Sequence, residues 1–341
     1  MTIAKTLVLR FWKKWKGKTL NEQIEQLVTL MDDLYVDAHC HVTTSLERRN
    51  VTPKIPEAAI ERCFMSNNTF DWHQIKLMKS SNNMDLSSIG FGVHPWYSHL
   101  YYTGEAPATT QSHYLQVLQG GTADELEQII AQLPPPINLS EYIANEFDPV
   151  RVCCVGEIGL DKLFRLPKNG FYQGDQHAPL GRVRVRMEHQ VQIFKALCAL
   201  AVRHSLPVSI HCVKCPSLMY DLCKEHLLPH AAVKICLHSF TGSLETLESF
   251  WLAKFPHERL FVSVSRYINF KNTEPGIQLL QKLPLKCVLT ETDFTWDTTE
   301  SDQLLQELEF LVRQIARAHE LDSFEVAKGA IYQNFQRFKG H

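Results

Sequence analysis

Short apolar runs of four to eight residues recur along the chain, and several end on a histidine or an acid. Eight read as strands: 34–41, 60–65, 89–94, 152–158, 208–211, 233–238, 260–264 and 287–293. Their β-branched and aromatic content is the strand signature. Between most of them, apolar residues fall at helical spacing. In 188–204 these are Val191, Ile193, Phe194, Leu197, Leu200 and Ala201, and 217–227, 244–254 and 304–319 behave likewise. A last helix over 325–338 would close the shell. Strands alternating with helices predict a parallel sheet. Eight of them predict an α/β fold closed as a (β/α)8 TIM barrel.

Two stretches break the rhythm. Residues 97–149 hold Pro134-Pro135-Pro136 and one predicted helix over 123–132, and 162–182 reads as loop, with Gly170, Gly174, Pro179 and Gly181. Both follow the carboxyl end of a strand, so both are expected as insertions on the catalytic face, shaping access to it. The first 18 residues carry Lys5, Arg10, Lys13, Lys14, Lys16 and Lys18 with Phe11, Trp12 and Trp15 interleaved, and no acid. We read 1–30 as a basic N-terminal extension and 31–341 as the barrel. A mitochondrial targeting segment is the other reading of that stretch.

Composition narrows the picture. The chain has 341 residues, 45% hydrophobic and 21% charged, enough to bury the core of one large barrel. With 35 basic and 37 acidic residues the net charge is −2, so no global basic field exists to grip a long duplex. Ten scattered cysteines, many inside apolar runs, predict free thiols in the cytoplasm or nucleus. In the lone Cys212-Val213-Lys214-Cys215, Cys212 is read as finishing a strand and Cys215 as opening the next helix. No run of 18 apolar residues occurs, which predicts no membrane span.

The candidate chemistry lies at the predicted strand ends. His39 and His41 are two apart, so on a strand both imidazoles enter the barrel mouth while Cys40 faces the helical shell. Glu157, His211, His238 and Asp293 end four further strands. His39, His41 and Asp293 form one nitrogen–oxygen set, and Glu157, His211 and His238 form a second. A carboxylate such as Glu157 can bridge two cations through its two oxygens. Imidazole with carboxylate suits zinc, manganese or magnesium. The pattern therefore predicts a hydrolase with two divalent metal ions, in which Asp293 and Glu157 are catalytic and Asp293 also accepts the proton of the attacking water.

Glu291 should share the inward face one layer deeper, as packing or support. Asp161 is read as a cap. His94 ends the third strand outside both sets, either as a substrate contact or packed under Pro95-Trp96. Lys214 and Arg165, with Arg182, Arg184 and Arg186, are candidates to grip phosphates. Trp96, Tyr97 and Phe171 are candidates to stack bases.

Asp-Ala-His-Cys-His, Gly-Val-His-Pro, Gly-Glu-Ile-Gly-Leu-Asp, Pro-Val-Ser-Ile-His, Leu-His-Ser-Phe-Thr-Gly-Ser, Glu-Thr-Asp and the terminal Asn334-Phe335 resemble, in order and approximate spacing, the TatD-type metal-dependent deoxyribonucleases. The resemblance runs from about residue 34 to 338. It implies a TIM barrel and a divalent-metal DNase or 3′-exonuclease. His39, His41, Glu157 and Asp293 would hold one metal, and Glu157, His211 and His238 the second. Gly-Leu-Asp-Lys-Leu-Phe-Arg and Ser-Ile-His-Cys-Val look like a fungal branch, sometimes named for interaction with a cell-cycle ubiquitin-ligase subunit. Two positions depart from the family pattern. Val213-Lys214 stands where the family has Arg, and Phe294-Thr295-Trp296 where it often has Pro. The expected substrate is a DNA end, single-stranded in preference to duplex. The alternatives are an amidohydrolase-like enzyme of small molecules, and a non-catalytic interaction protein on the same scaffold.

Overall fold

In the computed structural model, residues 34–43, 53–78, 86–168, 170 and 179–340 are described. Residues 1–30 of the basic extension, and Phe171, lie outside them. Eight parallel strands pair in chain order: β1 (Tyr35–Cys40), β2 (Ile60–Phe64), β3 (Ser87–Phe91), β4 (Cys154–Asp161), β5 (Val208–Val213), β6 (Ile235–Leu237), β7 (Leu260–Val264) and β8 (Val288–Thr290). Beyond β8 the chain returns to β1 through Asp293 N–H to His39 C=O at 3.0 Å and His41 N–H to Phe294 C=O at 2.9 Å. The sheet so closes as a (β/α)8 barrel. The ladder of the eighth strand stops at Thr290, earlier than predicted. Asp293 sits in the turn after it, with φ of 58°.

The helical shell follows the predicted stripes. It comprises α1 (Thr69–Met78), α5 (Met187–His204), α6 (Pro216–His226), α7 (Thr273–Lys282), α8 (Ser301–Ala318) and α9 (Phe324–Lys339). On α5 the buried residues include Ile193, Phe194, Leu197, Leu200 and Ala201, the stripe read from sequence. The helix predicted over 244–254 is one α-turn, Leu244–Thr246, running into a wider i→i+5 helix, Leu247–Leu252. α9 starts at the Ser323 cap and stops at Gly340, whose φ of 94° suits glycine. Its Asn334 amide donates to the carbonyls of Leu285 at 2.7 Å and Val288 at 2.8 Å. That motif residue therefore anchors the start of β8 rather than the site.

The 97–149 insertion holds three helices where the sequence reading placed one: α2 (Thr110–Val117), α3 (Ala123–Ile130) and α4 (Leu139–Glu146). The two missed helices are no shorter than the predicted one, but their buried faces are largely polar or aromatic, His113, Tyr114 and Val117 on α2 and Leu139 and Tyr142 on α4, and do not make an apolar stripe. Their caps were legible. Thr109 and Ser112 form a reciprocal box, and the Asn138 side chain accepts from Ser140 and Glu141 N–H. The insertion does not roof the mouth as expected. It folds against the barrel flank, where Tyr142 stacks on Phe91 at 5.2 Å and Glu146 accepts from Trp72 Nε1 at 3.0 Å. A two-residue antiparallel ladder, Leu118–Gln119 with Arg184–Val185, ties it to the chain entering α5.

Candidate metal centre

At the carboxyl ends of the strands lies a cavity of about 920 Å³. All six groups singled out at strand ends converge beside it. Glu157 is the hub. Its Oε2 faces His39 Nε2 at 3.2 Å and His41 Nε2 at 3.6 Å. Its Oε1 faces His211 Nδ1 at 2.9 Å, His238 Nε2 at 3.2 Å and His94 Nε2 at 3.3 Å. Asp293 Oδ1 stands 3.3 Å from His41 Nε2 and 3.9 Å from His39 Nε2.

Backbone geometry makes this convergence possible. A Cβ on Gly92 would come within 2.5 Å of the Glu157 carbonyl oxygen, and one on Gly159 within 1.9 Å of the His211 carbonyl oxygen. The glycines of Gly-Val-His and Glu-Ile-Gly are therefore required by close strand approach. Asp293 and Ser239 hold positive φ, 58° and 40°, a conformation that costs energy for a non-glycine residue and concentrates at functional sites. Asp37 stabilises the Asp293 turn. Its buried carboxylate accepts from Thr292 N–H at 2.9 Å, Thr292 Oγ1 at 2.6 Å and Trp296 Nε1 at 3.0 Å. Trp296, where the family often has Pro, is thus an anchor, and the Arg62 guanidinium lies 4.5 Å above its ring.

The outer partner of each imidazole decides what its inner nitrogen can do. His238 Nδ1 faces the Glu291 carboxylate at 3.1 Å, His211 Nε2 the Asp161 carboxylate at 3.4 Å, and His41 Nδ1 the Met65 carbonyl at 3.3 Å. For His238 and His211 the outer partner is a carboxylate, which accepts only, so the outer nitrogen carries the proton and the inner one keeps a lone pair for a cation. His41 Nδ1 lies between the Met65 carbonyl and the Asn67 amide nitrogen at 3.2 Å, which admits either tautomer. His39 Nδ1 meets the Ser209 hydroxyl at 3.0 Å, which permits an outer proton. His94 is the reverse. Its Nδ1 accepts the Trp96 N–H at 3.2 Å, so the neutral ring carries its proton on Nε2 and donates toward Glu157.

Charge follows the same geometry. Burial works to raise the Glu157 pKa, but His94, His39 and His238 outweigh it and hold the carboxylate well below its ordinary value. Burial works to lower His41, yet the Asp293 and Glu157 carboxylates lift it to about 9. His211 rises to about 9 against burial, through Asp161 and Glu157. His94 is lowered to about 4, chiefly by burial. Asp161 falls to about 2 despite burial, held by His211, the Trp96 indole and the Leu163 N–H.

Of the other candidates, Glu291 is fully buried one layer below, orienting His238 and accepting from Ser239 and Ser263. Asp161 does cap the Leu163 and Phe164 amides, at 2.7 and 2.9 Å, and also orients His211, a role the sequence reading missed. Lys214 is not in the chamber. It lines an adjoining cavity with Lys162 and Arg184 that shares Asp161 with the chamber. Arg165 is exposed and lines neither. Trp96 and Tyr97 both line the chamber, Tyr97 largely buried and Trp96 stacked on Phe164 at 4.7 Å. The lip is instead formed by Tyr267, 76% exposed, with Ile268 and Phe294. Nothing in the local sequence marked Tyr267, because its strand, β7, ends without a candidate ligand.

A (β/α)8 barrel with imidazole and carboxylate donors gathered at its mouth defines the metal-dependent hydrolases of this architecture. The family profile of the TatD related DNases matches residues 36–340. The chain belongs to this family, hydrolases that act on phosphodiester bonds. It is 45% identical over 310 residues to a Saccharomyces cerevisiae protein named as an uncharacterized deoxyribonuclease, spanning 89% of this chain and 98% of that one. It is 29% identical over 315 residues to the Cut9-interacting protein scn1 of Schizosaccharomyces pombe, spanning 80% and 90%. The crystal structure of the TatD homolog YjjV of Escherichia coli superposes with a TM-score of 0.54 at 18% identity, over 91% of this chain and 98% of that one. Among the described residues no helix is long and apolar enough to cross a membrane.

Proposed function

We propose that the protein hydrolyses phosphodiester bonds of DNA at single-stranded or frayed 3′ ends, with two divalent ions held across Glu157. The observation that carries this reading is the division of the Glu157 carboxylate, with Oε2 turned to His39 and His41 and Oε1 to His211 and His238. Asp293 would complete the first set. The donor chemistry fits, since four imidazoles present a nitrogen inward and carboxylates hold the outer nitrogen of two of them, His238 and His211. Imidazole with carboxylate favours zinc, with manganese able to replace it, over magnesium, which prefers oxygen ligands. Bound divalent ions supply Lewis acidity and lower the pKa of water toward neutrality.

The chain's own residues do the rest. Asp293, its side chain 33% exposed at the chamber floor, accepts the proton of the attacking water. His94 donates from Nε2 to a phosphate oxygen of the substrate. A strand leaving over Asp161 brings its next phosphate to Lys214, Lys162 and Arg184, and a base at the opposite lip stacks on Tyr267. We assign 31–341 to one catalytic unit and place the protein in the cytoplasm or nucleus, where free thiols stay reduced. A protein partner rests on narrower ground, the name of the Cut9-interacting relative; co-purification with the tagged chain tests it.

The test of the main reading is cleavage of one end-labelled DNA sequence, as a single strand and as a closed hairpin duplex, by metal-loaded protein beside a panel of simple esters and amides. Shortening of the single strand from its 3′ end is the expected result. Equal cutting inside the closed duplex would refute the choice of substrate form. Turnover of the small substrates alone would refute the nuclease reading.

A further inference from the structure

Below the chamber, where β2 and β4 flank β3, four sulfur atoms converge. Cys63 lies near the end of β2, and Cys153-Cys154 opens β4 three residues before Glu157. The Cys63 Sγ is 3.5 Å from that of Cys153 and 3.8 Å from that of Cys154, and all three lie within 4.8 Å of one another. Met65 Sδ stands 3.9 Å from the Cys154 Sγ. The space is kept open by glycine. A Cβ on Gly90 would meet Met65 Sδ at 2.6 Å and the Cys154 Sγ at 3.0 Å, and one on Gly156 would meet Met65 Sδ at 2.9 Å.

We propose that Cys63, Cys153 and Cys154, with the Met65 thioether beside them, form a second metal site that takes one Cu(I) ion. Three thiolates around one cation at about 2.3 Å stand about 4 Å apart, close to the separations here. Thiolate and thioether are the soft donors that select Cu(I). This donor group is sulfur alone, whereas the chamber offers nitrogen and oxygen alone, so one barrel sorts two kinds of metal by softness. Cys153 is half-buried and gives an entry path, while Cys63 and Cys154 are buried. Binding replaces the thiol protons, which pass to solvent, and no electron moves. The inference is independent of the proposed nuclease activity.

The test titrates the full-length, reduced protein with Cu(I) under anaerobic conditions against bicinchoninate, then records X-ray absorption at the copper edge on wild type holding one equivalent. The expected result is one ion retained with a sulfur-only first shell, unchanged in a His39→Ala/His41→Ala variant. Cys153→Ala should weaken retention by at least about 10–100-fold, the range already lost when only a supporting residue is removed. A nitrogen- or oxygen-containing shell would put the ion in the chamber and overturn the proposal. So would loss of all copper to the chelator, or a Cys153→Ala variant that binds as wild type does. Because Cys212 and Cys215 also offer sulfur, a Cys212→Ala/Cys215→Ala variant is titrated beside the others, and loss of its copper would overturn the proposal; Cys63→Ser stands in if Cys153→Ala misfolds.

Discussion

His41 and His211 in the chamber and two histidines of the insertion cluster, His99 in the insertion itself and His189 on the α5 face packed against it, are the same side chain at comparable depth, yet their pKa values move in opposite directions. Burial works to lower all four. In the chamber, carboxylates overcome it and lift His41 and His211 to about 9. In the insertion cluster, burial wins and His99 falls to about 3 and His189 to about 4. There each ring meets a backbone carbonyl: His99 that of Gly170 at 3.3 Å, His113 that of His99 at 2.8 Å, and His189 that of Ser98 at 2.9 Å. A carbonyl fixes a neutral ring in place, while a carboxylate readies it for a cation. A carboxylate does not lift every ring it faces, since His39 and His94 also face Glu157 and are lowered, chiefly by burial. What separates the two clusters is that the chamber has carboxylates to share, while the rings of the insertion cluster meet backbone carbonyls.

The sharpest test of the contrast is Asp293→Asn in the chamber. Hydrolysis should fall by about 10²–10⁴, the usual cost of losing a general base, with the circular dichroism spectrum unchanged. Turnover near wild type would remove Asp293 from the mechanism.

Acid should act on the insertion next. His99, His113 and His189 are held below the ordinary histidine value in the folded chain, so between the folded and unfolded pKa the unfolded segment binds more protons. Their contribution to stability is therefore complete above roughly pH 6.5 and is lost as pH falls toward the folded values. At pH 5 local opening should rise by about thirtyfold for each of His99 and His189, with His113 adding in the same direction. Amide exchange of α2–α4 at pH 7.5 and pH 5 measures this, and equal protection at both would contradict it.

His189→Ala takes one of two donors from the Ser98 carbonyl, which keeps the Tyr101 N–H, and removes a buried ring. It should cost about 1–3 kcal/mol in a denaturation midpoint while bound zinc, counted by elemental analysis, stays as in wild type. A drop in metal content would erase the distinction between the two clusters. Tyr267→Ala is the mildest change. It should weaken single-stranded DNA by about 1 kcal/mol, the low end for base stacking because the ring is exposed, and leave a small phosphodiester unaffected. Matching losses on both substrates would show that Tyr267 shapes the chamber instead.

The barrel was legible because each strand and most shell helices carry their own periodicity. The ligands were legible because His39, His41, Glu157, His211, His238 and Asp293 each terminate such a run. Less legible was whatever depended on a partner far away in the chain. The insertion was expected over the mouth, but Phe91, Trp72 and His204 on the barrel flank give its aromatic residues a surface to bury against. Trp96 and Tyr97 read as free stacking rings, yet Phe164 and the core claim them. Lys214 and Arg165 looked equivalent as loop cations. Only the folded loops set Lys214 in a cavity next to the chamber and leave Arg165 outside it.

Local pattern by itself thus determined the class of fold, the strand ends and the donor types, because hydrophobic period and residue chemistry are properties of a short stretch of chain. Only the tertiary structure decided that Glu157 presents its two oxygens to two different histidine pairs, and that Cys63 meets Cys153 and Cys154. Those facts depend on distances between residues up to about a hundred positions or more apart, set by strand register and by glycines that let backbones approach, and no window along the chain contains both partners.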